Sequence, residues 1–375
     1  MKYYVIAGEA SGDLHGSNLI RALMDEDPEA VIRAWGGDLM QAAGAEVVKH
    51  YRDLAFMGFV EVLKNLPTIL RNMRFCKNDI LQYAPDVLIL IDYPGFNLRI
   101  AEWAKTQGLR VFYYISPQLW AWHSSRVKII RRAVERMYVI LPFEQAFYQK
   151  HNIEVDFPGH PLLDVVDQHP VASDLRETYH LPDGPLVALL PGSRRQEISR
   201  MLLLMLEVAP RFPDCHFVIA GAPSIPEAFY LDLISATKTG NQVTLIQNRT
   251  YDLLRQAKAA VVTSGTATLE TALFGVPEVV CYRGGRLSFW IARRVVNVPY
   301  ISLVNLIANR KLVQELIQDD CNADSISAEL SRLLDVENAQ VMKSGYGLLR
   351  EQLGSAGASK RAAKMMVERV KTGEK

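Results

Sequence analysis

The chain has 375 residues, 49% of them hydrophobic and 22% charged, with a formal net charge of +1, enough to build two domains of ordinary size or one large α/β unit. That balance gives no general case for nucleic acid, so any attraction to anions must come from local patches. The four cysteines, Cys76, Cys215, Cys281 and Cys321, are scattered with no C-x-x-C pair, which indicates neither a disulfide framework nor a zinc site and fits a reduced, cytoplasmic setting.

In chain order, residues 1–8 are too brief for the apolar region of a secretory signal and run at once into Glu9 and Asp13; they read as a first buried strand. The glycines that follow, Gly8, Gly12 and Gly16, are spaced G-x-x-x-G-x-x-x-G rather than G-x-G-x-x-G, and the second strand ends in Arg33-Ala34-Trp35-Gly36-Gly37 without an acid for a ribose. NAD is therefore excluded, but the glycine turn at a helix start still leaves an open, anion-friendly cleft edge, and Glu9, Ser11, Gly12 and Asp13 there are read as acceptor or cleft residues. Residues 54–70 are apolar around most of a helix and are followed by Arg71, Arg74 and Lys77. Phe56, Met57, Phe59, Val60 and Leu63 then either lie buried on several sides or form an exposed patch suited to an anionic bilayer surface. No charge-free apolar stretch is long enough to span a bilayer, so membrane contact is expected to be peripheral.

The run Asp86-Val87-Leu88-Ile89-Leu90-Ile91 is an almost wholly apolar strand that delivers Asp92 at its carboxyl end. A partly desolvated carboxylate there suits a general base for an alcohol, although Asp before Tyr93-Pro94-Gly95 is also good turn chemistry. Next come Gln118, Trp120 and Trp122 in a loop after a strand, rings that either pack or stack on sugar faces and acyl chains. Arg126, Lys128, Arg131, Arg132 and Arg136 stud the following helix, as a solvated face or a phosphate site. His160, in Gly159-His160-Pro161, is read as a cleft or hinge residue.

The alternation of strand and helix lapses over residues 162–180 and a breaker-rich loop at 181–185, then restarts. Strands are expected at 3–7, 31–35, 87–91, 110–115 and 137–141, and again at 186–190, 215–220, 243–246, 259–263 and 278–282. This is the signature of βαβ units and parallel sheets. Three segments follow: an acceptor-binding, membrane-facing domain at 1–165, a nucleotide-binding domain at 166–342, and a helical tail at 343–375 that packs back onto the body. Tandem doubly wound domains imply an interdomain cleft lined by strand carboxyl ends.

Two turns of the second half carry phosphate chemistry. Gly192, Ser193 and Arg194 follow a strand and open a helix, and arginine forks fit phosphate. Ser264, Gly265, Thr266, Ala267 and Thr268 repeat that logic, with Glu270 one turn into the helix as a candidate for a ribose diol. Gln247 ends a third strand and offers an amide to a base. Together these turns describe a nucleotide diphosphate site, and none of them carries an Asp-x-Asp metal motif.

These motifs, with Phe56-Met57-Gly58, Glu61-Val62, Asp92-Tyr93-Pro94-Gly95-Phe96-Asn97, Ile115-Ser116-Pro117-Gln118, Pro158-Gly159-His160-Pro161 and Leu190-Pro191-Gly192-Ser193-Arg194, lie in order along nearly the whole chain. In this the chain resembles the lipid-A-disaccharide synthase family, inverting glycosyltransferases of bacterial outer-membrane biogenesis. The resemblance implies the GT-B architecture of two facing Rossmann-like domains with parallel sheets and an interdomain cleft. It also implies transfer of 2,3-diacylglucosamine from UDP-2,3-diacylglucosamine to 2,3-diacylglucosamine 1-phosphate, with neither metal nor other cofactor, by a protein on the cytoplasmic leaflet of the inner membrane. Asp92 would then be the base, Ser193, Arg194 and residues 264–268 the diphosphate holders, and Glu270 the ribose ligand. One departure is Val304, where the family commonly has proline beside Asn305. A UDP-sugar 2-epimerase of the same fold, or a non-catalytic nucleotide-binding protein, would use the same nucleotide seat.

Overall fold

The computed structural model describes the chain except for residues 55–65, 123–125, 171–173, 238, 286–297 and 374–375. It divides into two compact units, Met1–Asp164 with Leu353–Lys375, and Val165–Gln352.

The first unit is built on a seven-stranded sheet in the order β3-β2-β1-β4-β5-β6-β7. Its strands are β1 (Lys2–Ala7), β2 (Val31–Gly36), β3 (Glu46–His50), β4 (Val87–Ile91), β5 (Val111–Tyr114), β6 (Arg136–Tyr138) and β7 (Val155–Asp156). Every pairing is parallel. The central strands are apolar on both sides because helices cover both faces: Tyr3, Val5 and Ala7 enter one core, and Tyr4 and Ile6 the other.

The second unit carries a six-stranded parallel sheet in the order β10-β9-β8-β11-β12-β13, from β8 (Leu186–Leu190), β9 (His216–Gly221), β10 (Val243–Gln247), β11 (Ala257–Thr263), β12 (Glu278–Tyr282) and β13 (Gln314–Ile317). Val187 and Leu189 face one core, and Leu186, Ala188 and Leu190 the other. Each sheet has one point where strand order reverses, between β1 and β4 and between β8 and β11. Doubly wound sheets place ligands beyond the strand ends at such points.

The helical tail is shared between the units. Helix Val336–Gln352 belongs to the second, whereas helix Ala358–Thr372 lays Ala362, Ala363, Met366 and Val367 into the core beside Tyr3 and Val5. Asp164 caps that last helix, accepting from the amides of Gly357, Ala358 (3.2 Å) and Ser359 (3.1 Å). The expected membrane-facing residues Phe56, Met57, Phe59, Val60 and Leu63 lie outside the described residues. Helix Leu66–Tyr83 follows them, and no helix among the described residues is long and apolar enough to cross a membrane.

Candidate active site

Asp92 leaves the end of β4 with φ +42, and Tyr93 follows with φ +49. Two successive non-glycine residues in the left-handed region cost about 1–3 kcal/mol each, although Asp tolerates it better than most. Their surroundings over-determine the conformation. The Asp92 amide donates to the Tyr114 carbonyl at 3.2 Å, and the Asp92 carbonyl accepts from Asn97 Nδ2 (2.8 Å) and from the Tyr113 hydroxyl (2.6 Å). Pro94 then opens helix Pro94–Thr106 at its first position, where a missing N–H costs nothing. The Tyr93 ring lies over Gly8 at the end of the neighbouring β1; a Cβ on Gly8 would stand 2.4 Å from ring carbons. The glycine of the first motif and the aspartate turn of the second are thus one construction across the β1/β4 reversal.

The Asp92 side chain is half-buried. Burial, and secondarily the nearby charge of Glu9, raise its pKa from 3.8 to about 7. That is the range in which a carboxylate takes a proton from a hydroxyl effectively near neutrality.

The other residues expected on this side divide. Glu9 is half-buried at the N-cap of helix Ala10–Glu26, Ser11 is exposed, and Gly12 packs that helix on Ala7, whose Cβ would be 3.1 Å from an added Cβ. Gln118 is exposed, and Trp120 is half-buried, edge-on to Phe143 with centroids 4.9 Å apart. Asp13 and His160 take other work. The Asp13 carboxylate is buried and accepts from the amides of Gly37 (2.8 Å), Leu39 (3.2 Å) and Met40 (3.0 Å), capping helix Asp38–Ala42. His160 is buried, its Nδ1 accepts from the Leu162 amide at 3.2 Å, and its own amide donates to Leu353 at 3.1 Å. Burial and then neighbouring His15 lower its pKa to about 3. It is a neutral bracket for the returning tail.

At the β8/β11 reversal of the second unit two turns lie beyond adjacent strand ends. After β8, Gly192 has φ +110, and Ser193 and Arg194 are exposed, Arg194 being the N-cap of helix Arg195–Leu206. After β11, Ser264 is held by its amide on the Cys281 carbonyl (2.9 Å) and its hydroxyl on the Ile301 carbonyl (3.1 Å). Gly265 then caps helix Thr266–Leu273 without a side-chain bond, leaving that helix start open to an anion. Thr266 is exposed and Ala267 half-buried, whereas Thr268 is buried with its hydroxyl on the Gly265 carbonyl at 2.8 Å; its part is to shape the turn. Glu270 is half-buried, and burial raises its pKa to about 7 against the opposing hydrogen bond from Tyr251. Gln247, at the end of β10, donates to the Ile225 carbonyl at 3.4 Å.

Two residues that sequence reasoning did not select hold these turns. Glu315 accepts from the amides of Ile301 and Ser302 (both 3.0 Å) and from Asn305 Nδ2 (2.9 Å), fixing the segment on which Ser264 hangs. Asn305 is buried, and its Oδ1 accepts from Leu312 and Val313 at 2.7 and 2.9 Å, so it braces the fold rather than meeting a ligand. Glu197 accepts from the Ser193 amide at 3.0 Å. Its place three residues after the N-cap was the available signal, since a Glu there reaches back over a helix start.

The chain matches the lipid-A-disaccharide synthetase family over residues 3–369. It belongs to that family. A lipid-A-disaccharide synthase of Geobacter sulfurreducens is 40% identical over 370 residues, covering 97% of this chain and 96% of the relative. Among solved structures, the UDP-GlcNAc 2-epimerase from Neisseria meningitidis bound to UDP-GlcNAc superposes with TM-score 0.69 at 13% identity, covering 98% of this chain and 100% of that one. A glycosyltransferase from Rickettsia africae gives 0.58 at 12%, covering 100% and 99%. These structural likenesses establish the GT-B type of fold; family membership makes the chain a glycosyltransferase of lipid A biosynthesis.

Proposed function

We propose that Asp92 is the general base, and that Gly192–Arg194 and Ser264–Glu270 hold the leaving group, in the reaction of this family. That reaction transfers 2,3-diacylglucosamine from its UDP derivative to the 6-hydroxyl of 2,3-diacylglucosamine 1-phosphate, releasing UDP and forming the β-1,6-linked disaccharide 1-phosphate. Asp92 accepts the hydroxyl proton as the oxygen bonds to the anomeric carbon from the face opposite the diphosphate, which inverts that centre. The bond to the diphosphate breaks and its oxygens take the electron pair. Arg194, the open amides after Gly265 and the helix dipole there stabilise that charge, and Glu270 accepts from the ribose hydroxyls. The observation that carries the base assignment is a half-buried carboxyl at the sheet reversal with a pKa near 7. Incubating the protein with the two acylated sugars tests it: disaccharide and UDP are expected. An epimerised UDP-sugar without disaccharide would replace this reading with the epimerase one.

Peripheral binding to the cytoplasmic face of the inner membrane belongs to the same proposal, because both substrates carry acyl chains. In its support, helix Leu66–Tyr83 exposes Leu70, Phe75 and Leu81 together with Arg71 and Arg74. Its single acid, Asp79, is buried against Arg33 at 2.8 Å and the Tyr4 hydroxyl at 2.6 Å, so the outward face is apolar and cationic. Replacing Phe56, Met57 and Phe59 with Ser should release the folded protein from anionic vesicles, and undiminished vesicle binding would refute the membrane role.

A further inference from the structure

The 191–194 turn is already occupied by an anion of the chain's own. Glu197, at the third position of helix Arg195–Leu206, folds back so that its Oε2 accepts from the Ser193 amide at 3.0 Å. The carboxyl is drawn so close over the turn that a Cβ on Gly192 would stand 2.1 Å from Oε2 and 2.5 Å from Cδ. Gly192 is required by its backbone conformation, φ +110, and the absence of a side chain there leaves the space that the carboxylate fills.

A carboxylate oxygen and a phosphate oxygen ask the same thing of a backbone amide, one short charge-assisted hydrogen bond. One N–H cannot give that bond fully to both, and two like charges at that distance repel. We propose that Glu197 stands in for the donor's diphosphate: it closes on the Ser193 amide when the turn is empty and gives way when UDP or the UDP-sugar arrives. The proposal rests on the donor-side reading of this turn. Glu197 is half-buried, at the solvent-facing start of its helix beside exposed Gln196. Exposed Arg200 lies three residues further along the helix, the spacing at which a displaced carboxylate finds a cationic neighbour on its own face. Closed, Glu197 keeps the turn in shape without a ligand. After transfer it competes with the departing UDP for the same amide and hastens release.

The test is calorimetric titration with UDP of wild type, Glu197→Gln and Arg194→Ala, with steady-state kinetics on the first two. Gln keeps a hydrogen-bond acceptor of the same length and removes the charge. Glu197→Gln is expected to bind UDP roughly 5- to 10-fold more tightly at low salt, with the gain shrinking as salt rises, and to lower KM for the UDP-sugar and kcat together as release slows. A brace with no competing role predicts the opposite sign. UDP affinity unchanged or weakened in Glu197→Gln, beside a loss in Arg194→Ala, would overturn the stand-in and keep the donor seat. Wild-type protein that bound no UDP would overturn both.

Discussion

The turn after β4 and the turn after β11 occupy matching places in two similar sheets, each beside the strand where the order reverses, yet their backbones take different courses. At Asp92 the backbone is left-handed over two residues, its polar groups are consumed by Tyr113, Tyr114 and Asn97, and a carboxyl is left half-buried. At Ser264 the backbone is extended through Gly265, and the helix start has no side-chain cap. On the proposed reading Asp92 is a base, which needs one atom held in one place with its proton affinity raised, and these hydrogen bonds hold it there. On the same reading the turn after β11 is a phosphate seat, which needs helix-start amides left open and a dipole behind them.

That contrast is broken most decisively at Asp92. Asp92→Asn should cost about 10²- to 10⁴-fold in kcat, the scale of a lost general base, with UDP affinity unchanged in a calorimetric titration; a parallel loss of UDP binding would mean the two turns are not separable in function. The base must be ionised to work, so wild-type kcat/KM should rise with pH through about 7 and level off above it. Glu9→Gln should move that limb to lower pH, because the Glu9 charge contributes to the raised value. Next in size is Gly8→Ala, which puts a methyl into the Tyr93 ring. Misplacing the base should lower kcat by roughly 10- to 100-fold at unchanged UDP affinity, and an unaffected kcat would show that Tyr93 need not sit on Gly8. The smallest effect is expected on the donor side, where Glu270→Gln should weaken UDP binding about 10-fold, the scale of a lost hydrogen bond to a charged group. Equal UDP binding by that variant would detach Glu270 from the nucleotide.

The central strands were legible because a parallel strand covered on both faces is a continuous apolar run, as in Val87–Ile91 and Leu186–Leu190. The strands not expected, β3, β7 and β13, are all at sheet edges. There, half-solvated sequences such as Glu46–His50 and Gln314–Ile317 mix charge into the pattern. At the candidate site, Asp92 and the turns after β8 and β11 stood out because strand, small turn and helix start are local features. Asp13 and His160 were placed with the acceptor because a carboxylate and an imidazole in glycine-rich motifs suggest ligands. Their partners, Gly37–Met40 and Leu353, are distant in sequence, and no local pattern announces them. Glu315 was hidden for the same reason: it holds Ile301 and Ser302 from the adjoining edge strand.

The returning tail has a consequence for how the protein is made. Met366 and Val367 complete the core around Tyr3 and Val5, and Asp164 receives the amides of Gly357 to Ser359. On the ribosome the first sheet emerges early, whereas the helix that closes its hydrophobic face is synthesised only after the whole of Val165–Gln352. The unit begun first is completed after the second, and until then its hydrophobic face stays open.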